Sequence, residues 1–263
     1  MSWLPYVLCM IPTVVLMWFV GAFRWREPRC IPIWVGIAFG MLSSVPIWLA
    51  ETVVEDGGAQ IPDLLRRAFV QQVLGAAVIE EVFIFVAFIL TYMLFRGVRI
   101  RTRTDIVVIA VAAAIGFTTV ENVMAILASP QPISTGLSRL LSIVAGHATL
   151  QLVMGYFAAG VLLDRKNRSL NAFLMFAVPI AIHGWGDFTE AVFQAVDPDS
   201  DESKRYFSYW IFGLFAYLAA AACVLFQLRN TKQPVDPIEP DDASDRGSKR
   251  GGDDANDQRT VPK

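Results

Sequence analysis

The sequence has little of what a soluble or a disulfide-stabilised domain needs. Charged residues make up 17% of its 263 positions and hydrophobic residues 55%, whereas soluble chains average about 25% charged and 45–50% apolar residues. Its three cysteines, Cys9, Cys30 and Cys223, are odd in number and scattered in or beside apolar runs, which excludes a disulfide framework and a zinc–thiolate site. The net charge of −2 excludes a basic surface for nucleic acid, so we expect no nucleic-acid partner.

What the chain does have is a series of long apolar runs, with a mean hydropathy of +0.49. A membrane-spanning helix needs about 20 mostly apolar residues, and seven stretches are long enough. They are Trp3–Phe23, Ile31–Ala50, Phe69–Phe95, Ile106–Ala128, Ser138–Leu163, Leu170–Val196 and Tyr206–Leu228. We therefore predict an all-α, polytopic transmembrane helix bundle over residues 1–228, in contact with a lipid bilayer.

The charges between these segments predict how the chain is oriented. The first, third and fifth connections carry ten Lys and Arg residues, and the second, fourth and sixth carry five. The positive-inside rule then places the N-terminus outside and the C-terminus in the cytoplasm. Residues 229–263 contain only five apolar residues, so we predict a disordered cytoplasmic tail.

Six strongly polar side chains interrupt the apolar runs, and they include both histidines of the chain. They are Glu80, Glu81, Glu121, His147, His183 and Asp187. An ionised side chain at the bilayer centre costs about 2.5–3.5 kcal/mol, yet no Lys or Arg occupies the middle of a segment. The carboxyls must therefore be protonated, face a water-filled cavity or hold a cation. Two imidazoles with carboxylates suit a divalent metal such as zinc, whereas two carboxyls sharing one proton need no metal.

The positions of the six groups along their segments indicate one shared site, within residues 69–196. At 1.5 Å per residue, all six lie between about 11 and 20 Å below the outer boundary of the membrane. On a helix, Phe117 and Glu121 share a face at a spacing of four residues, as do His183 and Asp187. Four helices are thus expected to bring their polar groups to one level.

The motifs that hold these residues, taken in order, resemble the PrsW family of intramembrane proteases, related to the CAAX-protease and bacteriocin-processing superfamily. The family pattern is EExxK, then FxxxEN, then an Arg before a His, then HxxxD. The corresponding residues here are Glu80-Glu81, Phe117 to Glu121-Asn122, Arg139 with His147, and His183 to Asp187. One position departs from the pattern, because Ile84 stands where the family has a lysine.

The resemblance implies an endopeptidase of the plasma membrane that cleaves membrane-anchored proteins, for example anti-sigma-factor-type regulators. We predict that Glu80 or Glu81 is the general base that activates water. The predicted ligands of a divalent metal, zinc, are His147, His183, Glu121 and Asp187. Asn122 and Arg139 are predicted to contact the substrate, with a hydrogen bond between helices as the alternative for Asn122. A proton- or metal-ion-coupled transporter and an inactive membrane scaffold are the competing functions.

Overall fold

A computed structural model of the chain describes residues 3–22, 30–141, 146–164 and 167–230. Eight helices follow one another through these residues. They are α1 (Leu4–Phe19), α2 (Cys30–Gly58), α3 (Leu64–Phe95), α4 (Arg103–Ala128), α5 (Pro132–Leu141), α6 (His147–Leu163), α7 (Arg168–Ala195) and α8 (Asp201–Asn230). Within the described ranges the only β-type contact is an isolated bridge between Arg96 and Ile100. The predicted all-helical fold is confirmed.

Five of these helices, α2, α3, α4, α7 and α8, are long and apolar enough to cross a membrane. The apolar helices α1 and α6 are shorter, with 16 and 17 residues. Helix α2 continues eight residues beyond the predicted end at Ala50 and so includes Glu51. Five spans are therefore supported by length and composition, and the predicted total of seven remains a prediction.

The prediction of one continuous span over Ser138–Leu163 is wrong. This stretch holds the end of α5 and the whole of α6, and Gly146 between them has an extended backbone (φ −125°, ψ −175°) as the N-cap of α6. An apolar composition does not require an unbroken helix, and glycine is the residue that loses most entropy inside one. The break places His147 at the first position of α6.

Part of the predicted topology falls outside the described residues. The predicted tail overlaps the structure only at Arg229 and Asn230, which form the end of α8, and residues 231–263 lie beyond it. Phe23, the last residue of the first predicted span, also lies outside the described ranges, as does most of the first connection.

Helix α4 forms the core of the bundle, because every residue from 109 to 119 is buried. A helix that is apolar on all sides belongs inside a protein, and here small residues let its neighbours approach closely. A Cβ atom on Gly40 of α2 would lie 1.9 Å from the carbonyl oxygen of Ala113, and one on Gly116 would lie 2.0 Å from that of Ile37. Helices α2 and α4 are therefore in direct backbone contact.

Helix α3 contains a π-helical stretch, Phe69–Ala77, that ends just before the two adjacent glutamates. A π-helix bonds each N–H to the carbonyl five residues back and so changes the direction of the following side chains. Val73 in this stretch packs on Gly184 of α7, where an added Cβ would meet its Cγ1 at 3.1 Å. The π-helical turn is thus fixed against α7 beside His183.

We expect Gly40→Ala to destabilise the protein by about 1–3 kcal/mol, the usual cost of overpacking a core. The added methyl would collide with the backbone of α4, which has no flexible end to move aside. The matched control is Gly57→Ala in the same helix, where a Cβ would meet nothing within 4 Å. Unfolding in detergent micelles should show a lower midpoint for Gly40→Ala only. Equal midpoints for both variants would contradict the close approach of α2 and α4.

Candidate functional site

The structure brings all six polar residues predicted from the sequence into one cluster between four helices. We call it the acid–histidine cluster; its members are Glu80 and Glu81 of α3, Glu121 of α4, His147 of α6, and His183 and Asp187 of α7. Each carboxylate in this set lies within 4 Å of at least one imidazole nitrogen. The polar groups therefore compensate one another inside the bundle.

The two imidazoles form the centre of the cluster. The rings of His147 and His183 meet edge to face with centroids 4.8 Å apart, and both side chains are buried. Phe117 packs on His147 from the other side in the same geometry, also at 4.8 Å. Phe117 and Glu121 share a face of α4. One turn of this helix therefore supplies both a packing partner and an ion-pair partner for the His147 ring.

Glu81 lies on the inner wall of the cluster and is completely inaccessible to solvent. Its Oε1 atom is 3.1 Å from Nδ1 of His183 and 3.5 Å from Nδ1 of His147. Its Oε2 atom accepts a hydrogen bond of 2.7 Å from Nε2 of Gln151. Both oxygens of this carboxylate are thus occupied by side chains of the protein.

Glu80 faces the opposite nitrogens of the two rings. Its Oε2 atom is 3.1 Å from Nε2 of His147 and 3.8 Å from Nε2 of His183. This oxygen is buried and has no hydrogen bond of acceptable geometry from any described residue. One ligand atom from each of Glu80, His147 and His183 lies within 4.8 Å of the others. Two imidazoles and a carboxylate are a common set of protein ligands for catalytic zinc, so these residues fit a divalent metal.

The two remaining carboxylates form the more open rim of the cluster. Glu121 Oε2 is 3.3 Å from Nε2 of His147, and Glu121 also forms an ion pair with Arg139 of α5. Asp187 Oδ2 is 3.1 Å from Nε2 of His183. The side chains of Glu121 and Asp187 are 28% and 34% exposed, against 12% for Glu80. The cluster therefore opens on the side of Glu121 and Asp187.

Two residues at this site were missed by the sequence analysis. Gln151 is uncharged, so it is not found by looking for ionisable groups in apolar runs. The sequence feature that indicates it is its spacing of four residues from His147, which places both side chains on one face of a helix. Glu51 lies one residue beyond the predicted second span, and its carboxyl lies against that of Glu80. Glu51 Oε1 is buried and without a hydrogen-bond partner in the described part of the chain.

Negative charge exceeds positive charge at the site once Glu51 is included. The acid–histidine cluster has four carboxyls and Glu51 adds a fifth, while Arg139 and the two imidazoles can supply at most three positive charges. Buried charges that lack a counter-charge are costly. A divalent cation held by neutral imidazoles would offset two of the negative charges, in addition to the one offset by Arg139, which agrees with the converging ligand atoms.

The other predicted site residues lie at the border of the cluster. Asn122 is buried and its Nδ2 donates to the carbonyl oxygen of Cys9 in α1 at 3.4 Å, as in the alternative interpretation of a hydrogen bond between helices. Arg139 is occupied by its ion pair with Glu121. Contact of Asn122 and Arg139 with a substrate remains a prediction. Ile84 is fully buried in the apolar core with Phe88.

Comparison with known proteins relates the chain to a protein family. Two curated proteins named Protease PrsW are similar to the chain. The one from Geobacillus kaustophilus (strain HTA426) is 26% identical over 151 residues, which are 57% of this chain and 63% of the relative. The one from Halalkalibacterium halodurans is 27% identical over 100 residues, which are 38% of this chain and 46% of the relative.

The matched part of the chain thus spans less than two thirds of the length of each of these relatives. No solved structure matches the chain. The family described as PrsW family intramembrane metalloprotease matches residues 28–221, a range that runs from the start of α2 into α8. With its apolar helices, this makes the chain a multi-pass membrane protein. The chain belongs to the PrsW family.

Proposed function

We propose that the protein is an intramembrane endopeptidase that hydrolyses peptide bonds of membrane-anchored proteins at the acid–histidine cluster. The observation that carries this proposal is the convergence of one ligand atom each from Glu80, His147 and His183, all within 4.8 Å of one another, among buried carboxylates. Membership of the PrsW family supports it. The polar groups meet in one cluster, whereas a proton or ion relay would distribute them across the membrane.

Glu80, His147 and His183 would hold the metal, and zinc suits this ligand set. Once bound, the metal supplies a polarised water and stabilisation of the oxyanion. This assignment gives Glu80 the role of a ligand, where the sequence analysis predicted a general base. Glu81 is sealed from solvent and has both oxygens occupied, so it is not available to take a proton from water.

The proton acceptor must then lie on the open rim. Glu121 is held in its ion pair with Arg139, while Asp187 is the more exposed of the two rim carboxylates. A general base has to come within about 3 Å of the proton that it removes, and Asp187 lies on the side where the cluster is open to solvent. We therefore assign the base to Asp187, and to Glu121 the positioning of His147.

The membrane arrangement is part of the same proposal. Helices α1 and α6 would complete seven spans, with the N-terminus outside, the C-terminus in the cytoplasm and the protein in the plasma membrane. A substrate helix must unwind before its backbone can be cut, because helical peptide groups are hydrogen-bonded to one another. Single-span regulators such as anti-sigma factors are the substrate class that we propose.

We expect Glu80→Gln and His183→Ala to lose both bound zinc and cleavage of a single-span substrate, since the first replaces an anionic carboxylate ligand with a neutral amide and the second removes an imidazole ligand. Asp187→Asn should keep stoichiometric zinc and lose cleavage by about 100-fold or more, the usual contribution of a general base. Metal content and cleavage rate are measured on the same purified protein. Glu55→Gln, at an exposed position of α2, is the matched control and should behave as wild type.

Each other result has a definite meaning. If Glu80→Gln keeps zinc but loses cleavage, Glu80 is the base, and the rim carboxylates are ligands. If the wild type cleaves without bound metal, the metal-assisted mechanism is wrong. Cleavage at the wild-type rate by all three site variants would reject the proposed site.

We also expect Glu51→Gln to weaken zinc binding by about tenfold, because loss of one negative charge beside Glu80 lowers the attraction for a cation. Glu55→Gln lies one helical turn further on and changes the same charge at an exposed position, where water screens it. Competition with a chelator of known affinity measures both variants. Equal zinc affinities for the two variants would show that Glu51 does not act on the site.

A further inference from the structure

Gln151 is a buried polar residue beside the site that the proposed reaction does not use. We propose that Gln151 is a positioning residue: its hydrogen bond to Glu81 holds this carboxylate so that it orients both histidines. The inference rests on the proposed function for its catalytic consequence. Its structural part concerns only the contacts between Gln151, Glu81 and the two rings.

The hydrogen bond joins two helices at the back of the cluster. Gln151 lies on α6, one turn after His147, and its Nε2 donates to Glu81 Oε2 of α3 at 2.7 Å. Both side chains are fully inaccessible to solvent. A carboxylate only accepts hydrogen bonds, so the end of the amide that faces it is the NH2 group. Gln151 therefore cannot touch a substrate and acts on the site only through Glu81.

If Gln151 only filled space, burying its amide would lower the stability of the protein. Its Oε1 atom is buried and has no hydrogen-bond partner in the described residues, and an unsatisfied buried acceptor costs about 1–3 kcal/mol. A methionine would fill a similar volume with no such cost. Within the described part of the chain, the bond that this amide makes is the one to Glu81, which points to a role for that bond in the site.

The geometry gives this bond a specific effect. The last torsion of a glutamate side chain is broad and only weakly restricted, so a carboxylate with one free oxygen can turn. With Oε2 held by Gln151, Oε1 stays between Nδ1 of His147 and Nδ1 of His183. In the tautomer with its proton on Nδ1, His183 donates to Glu81 Oε1 at 3.1 Å, while Nδ1 of His147 faces the same oxygen at 3.5 Å without a hydrogen bond. The free lone pair of each Nε2 is directed to the opposite side, where Glu80 lies.

Carboxylates that orient metal-binding histidines are a general feature of metal sites, and their loss lowers metal affinity or activity by about 10–100-fold. Here one carboxylate contacts two rings at once, through a hydrogen bond with Nδ1 of His183 and a contact of 3.5 Å with Nδ1 of His147. Gln151 is one step further from the reacting atoms. Removing it should misalign both Nε2 atoms together.

The test compares Gln151→Met on α6 with Thr91→Val, a control that removes one hydroxyl from a fully buried position of α3. Gln151→Met should bind zinc about 10–100-fold more weakly, lower kcat to a similar degree and leave KM within about twofold. Thr91→Val should lower the unfolding midpoint at most, with wild-type zinc affinity and kcat. Gln151→Asn, whose shorter amide does not reach Glu81, should repeat the result if the methionine variant does not fold.

Two outcomes would overturn the inference. One is wild-type zinc affinity and kcat in the Gln151 variants. The other is a loss that follows the unfolding midpoint equally in Gln151→Met and Thr91→Val, which would give Gln151 a purely structural role. Failure of the proposed function is a different result: the wild type would bind zinc and cut no single-span substrate, and zinc affinity alone would then test Gln151. A wild type that neither binds zinc nor cuts would overturn both.

Discussion

The site depends on the contact of one sealed carboxylate with two imidazole rings. Glu81 is buried where an unpaired charge would be costly, and among the described residues its compensating partners come from other helices: His147 and Gln151 on α6 and His183 on α7. These contacts tie three helices together at one depth. They also leave the Nε2 atoms of both rings facing Glu80. The contacts that compensate the charge of Glu81 therefore also orient the nitrogens proposed to bind the metal.

The close packing of the bundle makes this arrangement rigid. Helix α4 touches α2 through bare backbone at Gly40 and Gly116, and it touches α6 at Gly155, where a Cβ would lie 3.0 Å from the Cα of Val107. Such contacts fix the distances between helix axes more tightly than long side chains do. At the open edge of the cluster the contact is made by side chains instead, because Glu121 there forms an ion pair with Arg139 on the short helix α5.

The sequence predicted the acid–histidine cluster well, because a charged group in an apolar run is costly and therefore informative. Glu80, Glu81 and His183 could be found in this way. Gln151 carries no charge and does not interrupt the apolar run, so its spacing of four residues from His147 was its signal in the sequence. Glu51 was missed because the apolar run ends at Ala50, whereas the helix α2 continues to Gly58. Adjacent residues of an α-helix always point in different directions, but which groups Glu80 and Glu81 face depends on the π-helical stretch before them and on the packing of the other helices, which local sequence does not encode.

The separation of these residues along the chain has a consequence for biosynthesis. The two glutamates of α3 are made first, and His147 follows about 65 residues later, a delay of roughly 3–13 s at ~5–20 residues per second. Until then the two acids of α3 lack the rings that later compensate them. The site can therefore form only when α6 and α7 associate with helices already inserted, as a late step of assembly within the bilayer.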